Sequence, residues 1–470
     1  MEMKHTIIRL LVLFCAGILV VSCREQKKST PTGADVKEVT FKEAPKDFLI
    51  ASSFKNIHMI QLEAKEECLI SDIKRVVDVE GKVYVLTRTN EIFCFDRATG
   101  KYIRTIGRLG EGPGEYVSAR DICYNEKEKC ICVVDYYKGA IHNYALDGRF
   151  LGDRKLDEET AKGVNLTFFA DCAPDGNMLL SLSMSAKKTS RDHVYMMLRP
   201  DGSSTGVDVF SPVKAEIGLV EVSRHPIAKS EDGLRFLKFL NDTIFTLSGD
   251  EVFPFCKLNL GRKIPDKDVL AKTGSFDLTN TAKLYKSGYS MPLFELYEDK
   301  NYILVLTEPI TLQGRDNYLI NKKTLEGIHI KGSALMAVEG VMFLEGRLMP
   351  SVIDSNRNEF ISWFAPIWIE CMRDDIFAKN LDVKLYKKEM RTFFEKADPD
   401  GNPLLSQQFF NIASKGMFSW VVLTDCYISN KYGQSVQSFF CAPITELCRV
   451  MSSFSAACSV SDTLTRFAKS

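Results

Sequence analysis

Residues that could do chemistry are present in this 470-residue chain, but the spacings that would join them into a familiar site are incomplete. The densest special stretch is Arg108-Leu109-Gly110-Glu111-Gly112-Pro113-Gly114-Glu115-Tyr116. A phosphate-cradling loop needs Lys and then Ser or Thr after its last glycine, and Gly114 is followed by Glu115. A dinucleotide turn needs G-x-G-x-x-G ahead of a helix; here the spacing is G-x-G-x-G with Pro113 inside it. The G-x-S-x-G of a serine-hydrolase nucleophile elbow is read as absent. What remains is backbone chemistry: glycine reaches positive φ at little cost and proline fixes φ. Gly110, Gly112, Pro113, Gly114, Glu115 and Tyr116 therefore read as a shaped structural connection between two β units.

The other candidates are equally dispersed. Six histidines (His5, His58, His142, His193, His225, His329) show no HExxH and no common spacing. Asp398-Pro399-Asp400-Gly401-Asn402 starts like a calcium loop, but its twelfth position is Phe409 instead of glutamate, so it reads as a turn. The Asp135-Tyr136-Tyr137-Lys138 stretch sits where a strand reaches a loop; exposed tyrosines there could stack on a sugar or peptide, while packing is the plainer role. Of fourteen cysteines none forms CxxC or a zinc-like pattern with His. Cys130 and Cys132 share one face of a strand, a poor geometry for a disulfide, and most of the cysteines read as small buried hydrophobes. The sequence points to no catalytic residue, no metal site and no cofactor.

The elements that must position these residues are strands. From Phe48 onward short apolar runs alternate with Gly, Asp, Asn and Pro at about ten-residue spacing, the signature of a sandwich, barrel or propeller. An internal repeat chooses among them. Residues 82–107 and 129–152 each carry an apolar run, a polar break, a second run, an Asp/Gly turn and a closing strand ending in glycine, about 48 residues apart. Weaker copies run through Phe168–Gly206, Leu234–Leu260, Leu293–Ile330 and Met342–Phe364. Four strands per unit is the content of a propeller blade. The expectation is an all-β, six-bladed β-propeller over residues 47–412 at roughly 60 residues per blade, with Phe54–Leu62 completing the last blade. A short helix is expected over Asp374–Lys396. Residues 413–470, with eleven serines and no Asp/Gly rhythm, form an atypical tail.

The N-terminus supplies an address. Lys4, His5 and Arg9 precede Leu10–Val21, an uncharged run too short for the roughly 20 residues that span a bilayer. This is a secretory signal over residues 1–22. Val20-Val21-Ser22-Cys23 resembles a bacterial lipobox, which makes Cys23 the lipid-bearing residue. Residues 23–46 are polar and read as a flexible tether. The implied location is the bacterial cell envelope, with the lipid in a membrane and the folded part outside the cytoplasm. Lys plus Arg and Asp plus Glu each total 61, so the net charge is zero and a nucleic-acid partner is not expected.

The lipobox, the Gly107–Tyr116 motif and Asp398–Leu405 (DPDGNPLL) together make the chain similar to a bacterial six-bladed β-propeller lipoprotein family related to NHL-repeat propellers. That resemblance implies an exported, anchored propeller and carries over no catalytic residue. Two functions are weighed. One is a binding or interaction module whose loops or central channel hold a glycan, peptide or partner protein. The other is a propeller hydrolase or lyase with an active site at the channel mouth. The channel-lining strands are read as having no repeated His, Asp or Glu at matching blade positions, which favours binding. Three or more carboxylate or imidazole groups converging at the channel mouth would favour the enzyme.

Overall fold

Runs such as Cys130–Asp135 (CICVVD) and Lys82–Thr87 (KVYVLT) are apolar almost throughout instead of alternating. A strand reads that way when both of its faces are covered. A computed structural model of the chain shows what covers them. It describes residues 36–44, 54–164, 167–182, 195–207, 225–238, 241–273, 278–290, 293–307, 316–330, 352–356, 359–364, 396–398 and 400–410.

Two strands come first, β1 (Glu38–Glu43) and β2 (Phe54–Gln61), and the blades follow. Blade 1 is β3 (Ile73–Val79), β4 (Lys82–Thr87), β5 (Ile92–Asp96) and β6 (Tyr102–Thr105). Blade 2 is β7 (Ala119–Asn125), β8 (Cys130–Asp135), β9 (Ala140–Ala145) and β10 (Phe150–Asp153). Blade 3, entered through α1 (Glu158–Val164), is β11 (Thr167–Cys172), β12 (Met178–Leu182), β13 (Tyr195–Leu198) and β14 (Ser204–Val207). Blade 4 is β15 (Ile227–Ser230), β16 (Gly233–Leu237), β17 (Thr243–Ser248) and β18 (Glu251–Asn259). After α2 (Lys267–Thr273) and α3 (Leu278–Lys286), blade 5 is β19 (Leu293–Glu298), β20 (Tyr302–Thr307), β21 (Asn317–Asn321) and β22 (Gly327–Ile330). Blade 6 joins β23 (Val352–Ser355), β24 (Phe360–Phe364) and β25 (Leu404–Phe410) to β2.

Each blade is antiparallel, and its first strand is innermost. These six inner strands touch in a closed cycle, β3 on β7, β7 on β11, β11 on β15, β15 on β19, β19 on β23, and β23 back on β3. The fold is a six-bladed propeller. Apolar clusters fill the seams between blades; that between blades 1 and 2 holds Tyr84, Leu86, Tyr116, Ile122, Val133 and Tyr144. Burial of such residues at about 25 cal/mol per Å² is what makes neighbouring blades necessary to one another.

The ring is closed as the sequence suggests. β2 pairs with β25 in an antiparallel register from Phe54 opposite Phe410 to Gln61 opposite Leu404. The Gln61 side chain seals the seam, donating to Asp398 O at 2.7 Å while its Oε1 accepts from Asp398 N–H at 2.8 Å. Asn402 is buried beside it and bonds Ile70 N, Glu63 O and Cys68 O.

Two readings are corrected. The repeats at 82–107 and 129–152 start one strand late, since each blade begins with the preceding run, β3 or β7. The polar stretch 23–46 is not all tether: Glu38–Glu43 is β1. It lies between the outer edges of blades 4 and 5, parallel to both, with Glu38–Thr40 beside Lys257–Asn259 and Phe41–Glu43 beside Gly327–His329. Val39 is fully buried there, and the Phe41 ring packs edge-on to Tyr318 at 4.8 Å between centroids. Gly327 makes room for it: a Cβ at that position would fall 2.3 Å from the Phe41 ring. The signal segment, Cys23, the helix expected from Asp374 and the tail from 413 lie outside the described residues.

Candidate functional site

The six inner strands surround a channel, and a repeated irregularity decides what faces it. Five of the six carry a β-bulge near their start, after Ile73, Ala119, Thr167, Leu293 and Val352; β15 shows none. The residue following the inserted one is Arg75, Asp121, Phe169, Glu295 or Asp354. A bulge re-aims the side chain beside it and commonly does so at functional rims. Acids therefore do recur at a matching position, on three of the inner strands, which corrects the expectation that none would.

Arg75 is the centre of a buried layer. Its Nη2 lies 2.8 Å from Asp171 Oδ2, its Nη1 3.2 Å from His225 Nε2, and its Nε 3.9 Å from Asp121 Oδ1. The guanidinium sits 4.1 Å over the Phe169 ring. Phe169, His225 and Tyr297 then follow in series, with centroids 4.5 and 4.4 Å apart. His225 Nδ1 is 2.9 Å from Leu296 O, and Tyr297 donates its hydroxyl to Glu295 Oε2 at 2.8 Å. Arg75, Asp121, Asp171, His225 and Glu295 are each only 2–3% exposed. Asp121 accepts from Ala170 N–H at 2.7 Å and Ile122 N–H at 2.9 Å; burial pushes its pKa up to about 6 against the pull of Arg75.

Toward the ends of the inner strands the channel opens into a cavity of about 330 Å³ whose wall comes from five blades. Cations Arg75, Arg97 and Lys229 face acids Asp78, Glu80, Glu126 and Asp171 across it. Arg97 reaches in from the turn after β5. Its Nε lies 3.1 Å from Asp78 Oδ2 and its Nη2 2.7 Å from Glu359 Oε2, and its side chain stays one-third exposed. Asp78 is buried, which raises its pKa to about 6 although Arg97 pulls the other way, and it accepts from Asn356 Nδ2 at 3.3 Å. Lys229 donates to Tyr124 O at 2.7 Å and lies 3.5 Å from Asp171 Oδ1. Burial works most strongly against its charge, but the negative groups around it, Asp171 first among them, together outweigh this and the pKa is raised. The arrangement can hold a charged group by exchanging an internal ion pair for an external one.

A model of a domain of unknown function, DUF4934, matches residues 35–406. The chain belongs to the DUF4934 family. No curated protein matches the sequence. Among solved structures, the chain is similar to a Bacteroides fragilis protein described as exported, at 16% identity and a TM-score of 0.61, covering 80% of this chain and 100% of that one. That likeness shows the fold. A DUF4221 family member from Bacteroides vulgatus (11% identity, TM-score 0.42, 76% of this chain and 96% of that one) is more distant. So is virginiamycin B lyase from Staphylococcus aureus (12%, 0.34, 59% and 74%). At those scores neither carries an argument.

The glycine motif of this DUF4934 member connects β6 to β7, away from the cavity lining. Glu115 turns back on the loop, accepting from Gly112 N–H at 2.8 Å and pairing with Arg108. The Gly112 bond first and Arg108 second hold its carboxyl below the usual range. A Cβ on Gly110 would fall 2.1 Å from Glu115 Oε2. Gly114 has φ +70° and its carbonyl accepts from the Tyr144 hydroxyl at 2.9 Å. Tyr116 is fully buried, its hydroxyl bonded to Ile106 O. Pro113 lies at the turn between them.

Asp135 gathers Val117 N–H at 2.7 Å and Tyr137 N–H at 2.9 Å, which leaves Tyr137 73% exposed beside Tyr136. Asp398 is committed to its turn through Asp400 N–H at 3.0 Å. One motif was passed over. Gly202-Ser203-Ser204-Thr205-Gly206 has the G-x-S-x-G spacing after all. The structure places Ser204 at the start of the outer strand β14, its hydroxyl 2.6 Å from Thr160 Oγ1. A nucleophile elbow needs a strand-to-helix turn and a base, and this is neither. Sequence reasoning missed Arg75, Asp78, Asp121, Asp171 and Lys229 because they lie on four different blades and meet only when the ring closes; the bulges that align three of the inner-strand acids leave no composition signal.

Proposed function

We propose that this protein is a non-catalytic binding module, exported and held to a membrane of the bacterial envelope by lipid on Cys23. Its channel cavity takes a charged segment of a glycan, a peptide or a partner protein. The observation that carries the reading is the cavity wall, where Arg97 joins a buried Asp78 and Glu359 yet remains partly exposed. An incoming anionic group can take the Arg97 guanidinium while Asp78, with its pKa near 6, accepts a proton. Family kinship to NHL-type propeller lipoproteins supports the same picture by resemblance alone.

The test is calorimetric titration of the purified protein with a panel of neutral and acidic oligosaccharides and charged tetrapeptides. Acidic members should bind, and Arg97→Ala should weaken them at least tenfold. Binding that ignores this substitution, or no binding anywhere in the panel, defeats the proposal. Anchoring is tested by detergent phase partition, where the wild type should enter the detergent phase and Cys23→Ala should not.

A second reading, a propeller hydrolase or lyase, is favoured by one observation. Asp121, Asp171 and His225 converge on Arg75, three groups of the kind the enzyme reading asks for, although in the inner layer and not at the channel mouth. Against it, all three are buried and committed to Arg75, so a substrate would have to break those pairs to use them.

A further inference from the structure

Three sulfur atoms meet in the seam between blades 2 and 3. Cys123 on β7 and Cys132 on β8 are directly opposed in the sheet register, and Cys172 on β11 reaches them from the next blade. Their Sγ atoms all lie within 4.8 Å of one another, and Cys123 Sγ is 3.1 Å from Cys172 Sγ. All three side chains are fully buried, among Val134, Ile141, Ala170 and Leu180. Two sulfurs that share no bond are crowded at such a separation, and a movement of about 1 Å would bring them to the roughly 2.05 Å of a disulfide.

We propose that Cys123 and Cys172 form a disulfide that joins the inner strands of blades 2 and 3. A disulfide is neutral, which suits an apolar seam; a metal held by these groups would require several buried thiolates. The step needs an oxidant, and the proposal assigns that part to a protein disulfide donor of the envelope, so it rests on the export reading. One of the two cysteines, as its thiolate, attacks the donor disulfide, and the other then displaces the donor sulfur. The two thiols together lose two protons and two electrons, the S–S bond forms, and the donor leaves as a dithiol. Because the folded seam is sealed, exchange takes place before blades 2 and 3 close. Cys132 is left as a thiol beside the bond.

The full-length protein is isolated from the envelope fraction, alkylated without reduction and digested with trypsin. Cleavage after Arg120, Lys127 and Lys129 puts Cys123 on a different peptide from Cys130 and Cys132, and Cys172 lies on residues 163–187. The expected product is peptide 121–127 linked to peptide 163–187, with Cys132 alkylated. Alkylation of all three cysteines overturns the proposal, as does a bond to Cys132 or a stoichiometric soft metal in the native protein. Fractionation of the same cells reports on export separately. As a second measurement, reductant should lower the melting temperature of the wild type and leave that of the Cys123→Ala/Cys172→Ala double variant unchanged; equal behaviour of the two would also overturn it.

Discussion

The channel has two levels that use the same residue types differently. Around Arg75, charges are matched inside the protein: Asp171, Asp121 and His225 point at one guanidinium, and none of these groups meets water to any useful extent. At the mouth, Arg97 joins Asp78 and Glu359 with a third of its side chain in solvent. Breaking a buried pair leaves a stranded charge, whereas a half-exposed cation can change partners at little cost. Charge in the inner level therefore fixes the ring, and charge at the outer level is available to a ligand.

The strongest way to break this contrast is Arg75→Leu. It strands Asp171 and Asp121 and should cost about 3–5 kcal/mol in denaturant unfolding. Adding Asp171→Asn should recover part of that loss, and a loss under about 1 kcal/mol in the single variant would mean the inner level is solvated. Next comes Asp78→Asn, read through pH. The folded pKa of Asp78 is raised to about 6, so the folded state holds its proton more tightly than the unfolded state. Its contribution is intact below the unfolded pKa of about 4, is lost as pH rises through about 6, and is flat above. The difference in melting temperature between wild type and Asp78→Asn should change across that window; a constant difference would place Asp78 in water. Arg97→Ala should cost only about 1 kcal/mol, because Asp78 can take up a proton in its place, while ligand binding falls. The smallest effect belongs outside both levels. Tyr137→Ala, on the exposed turn after β8, should change stability by less than about 0.5 kcal/mol and leave channel binding as it was.

How much of this was legible depends on how local each signal is. Strand rhythm around Val83–Leu86 and Ile131–Val134 gave the blades, because covering both faces of a strand leaves a continuous apolar run. The pairing of β2 with β25 was legible because a ring needs both chain ends in one blade. The sequence EVTFKE gave no sign of β1: only Val39 is buried, and most of what holds the strand is backbone pairing to β18 and β22. The channel was hidden for a related reason, since the extra residue in each bulge shifts the side-chain alternation without changing composition. Cys123 and Cys172 were within reach. They stand 49 residues apart, close to the repeat length, which places them on equivalent inner strands.

The strand between blades 4 and 5 also dictates an order of events in time. β1 and β2 precede the other described strands along the chain, yet the partners of β1 end at residue 330 and those of β2 begin at residue 404. Contacts of such long sequence separation form late, because chain entropy must be lost before they return anything. β1 thus lacks its second partner until residue 330 has followed, and β2 lacks its own until residue 410. Early blades can collapse, but the ring cannot lock around a half-made chain.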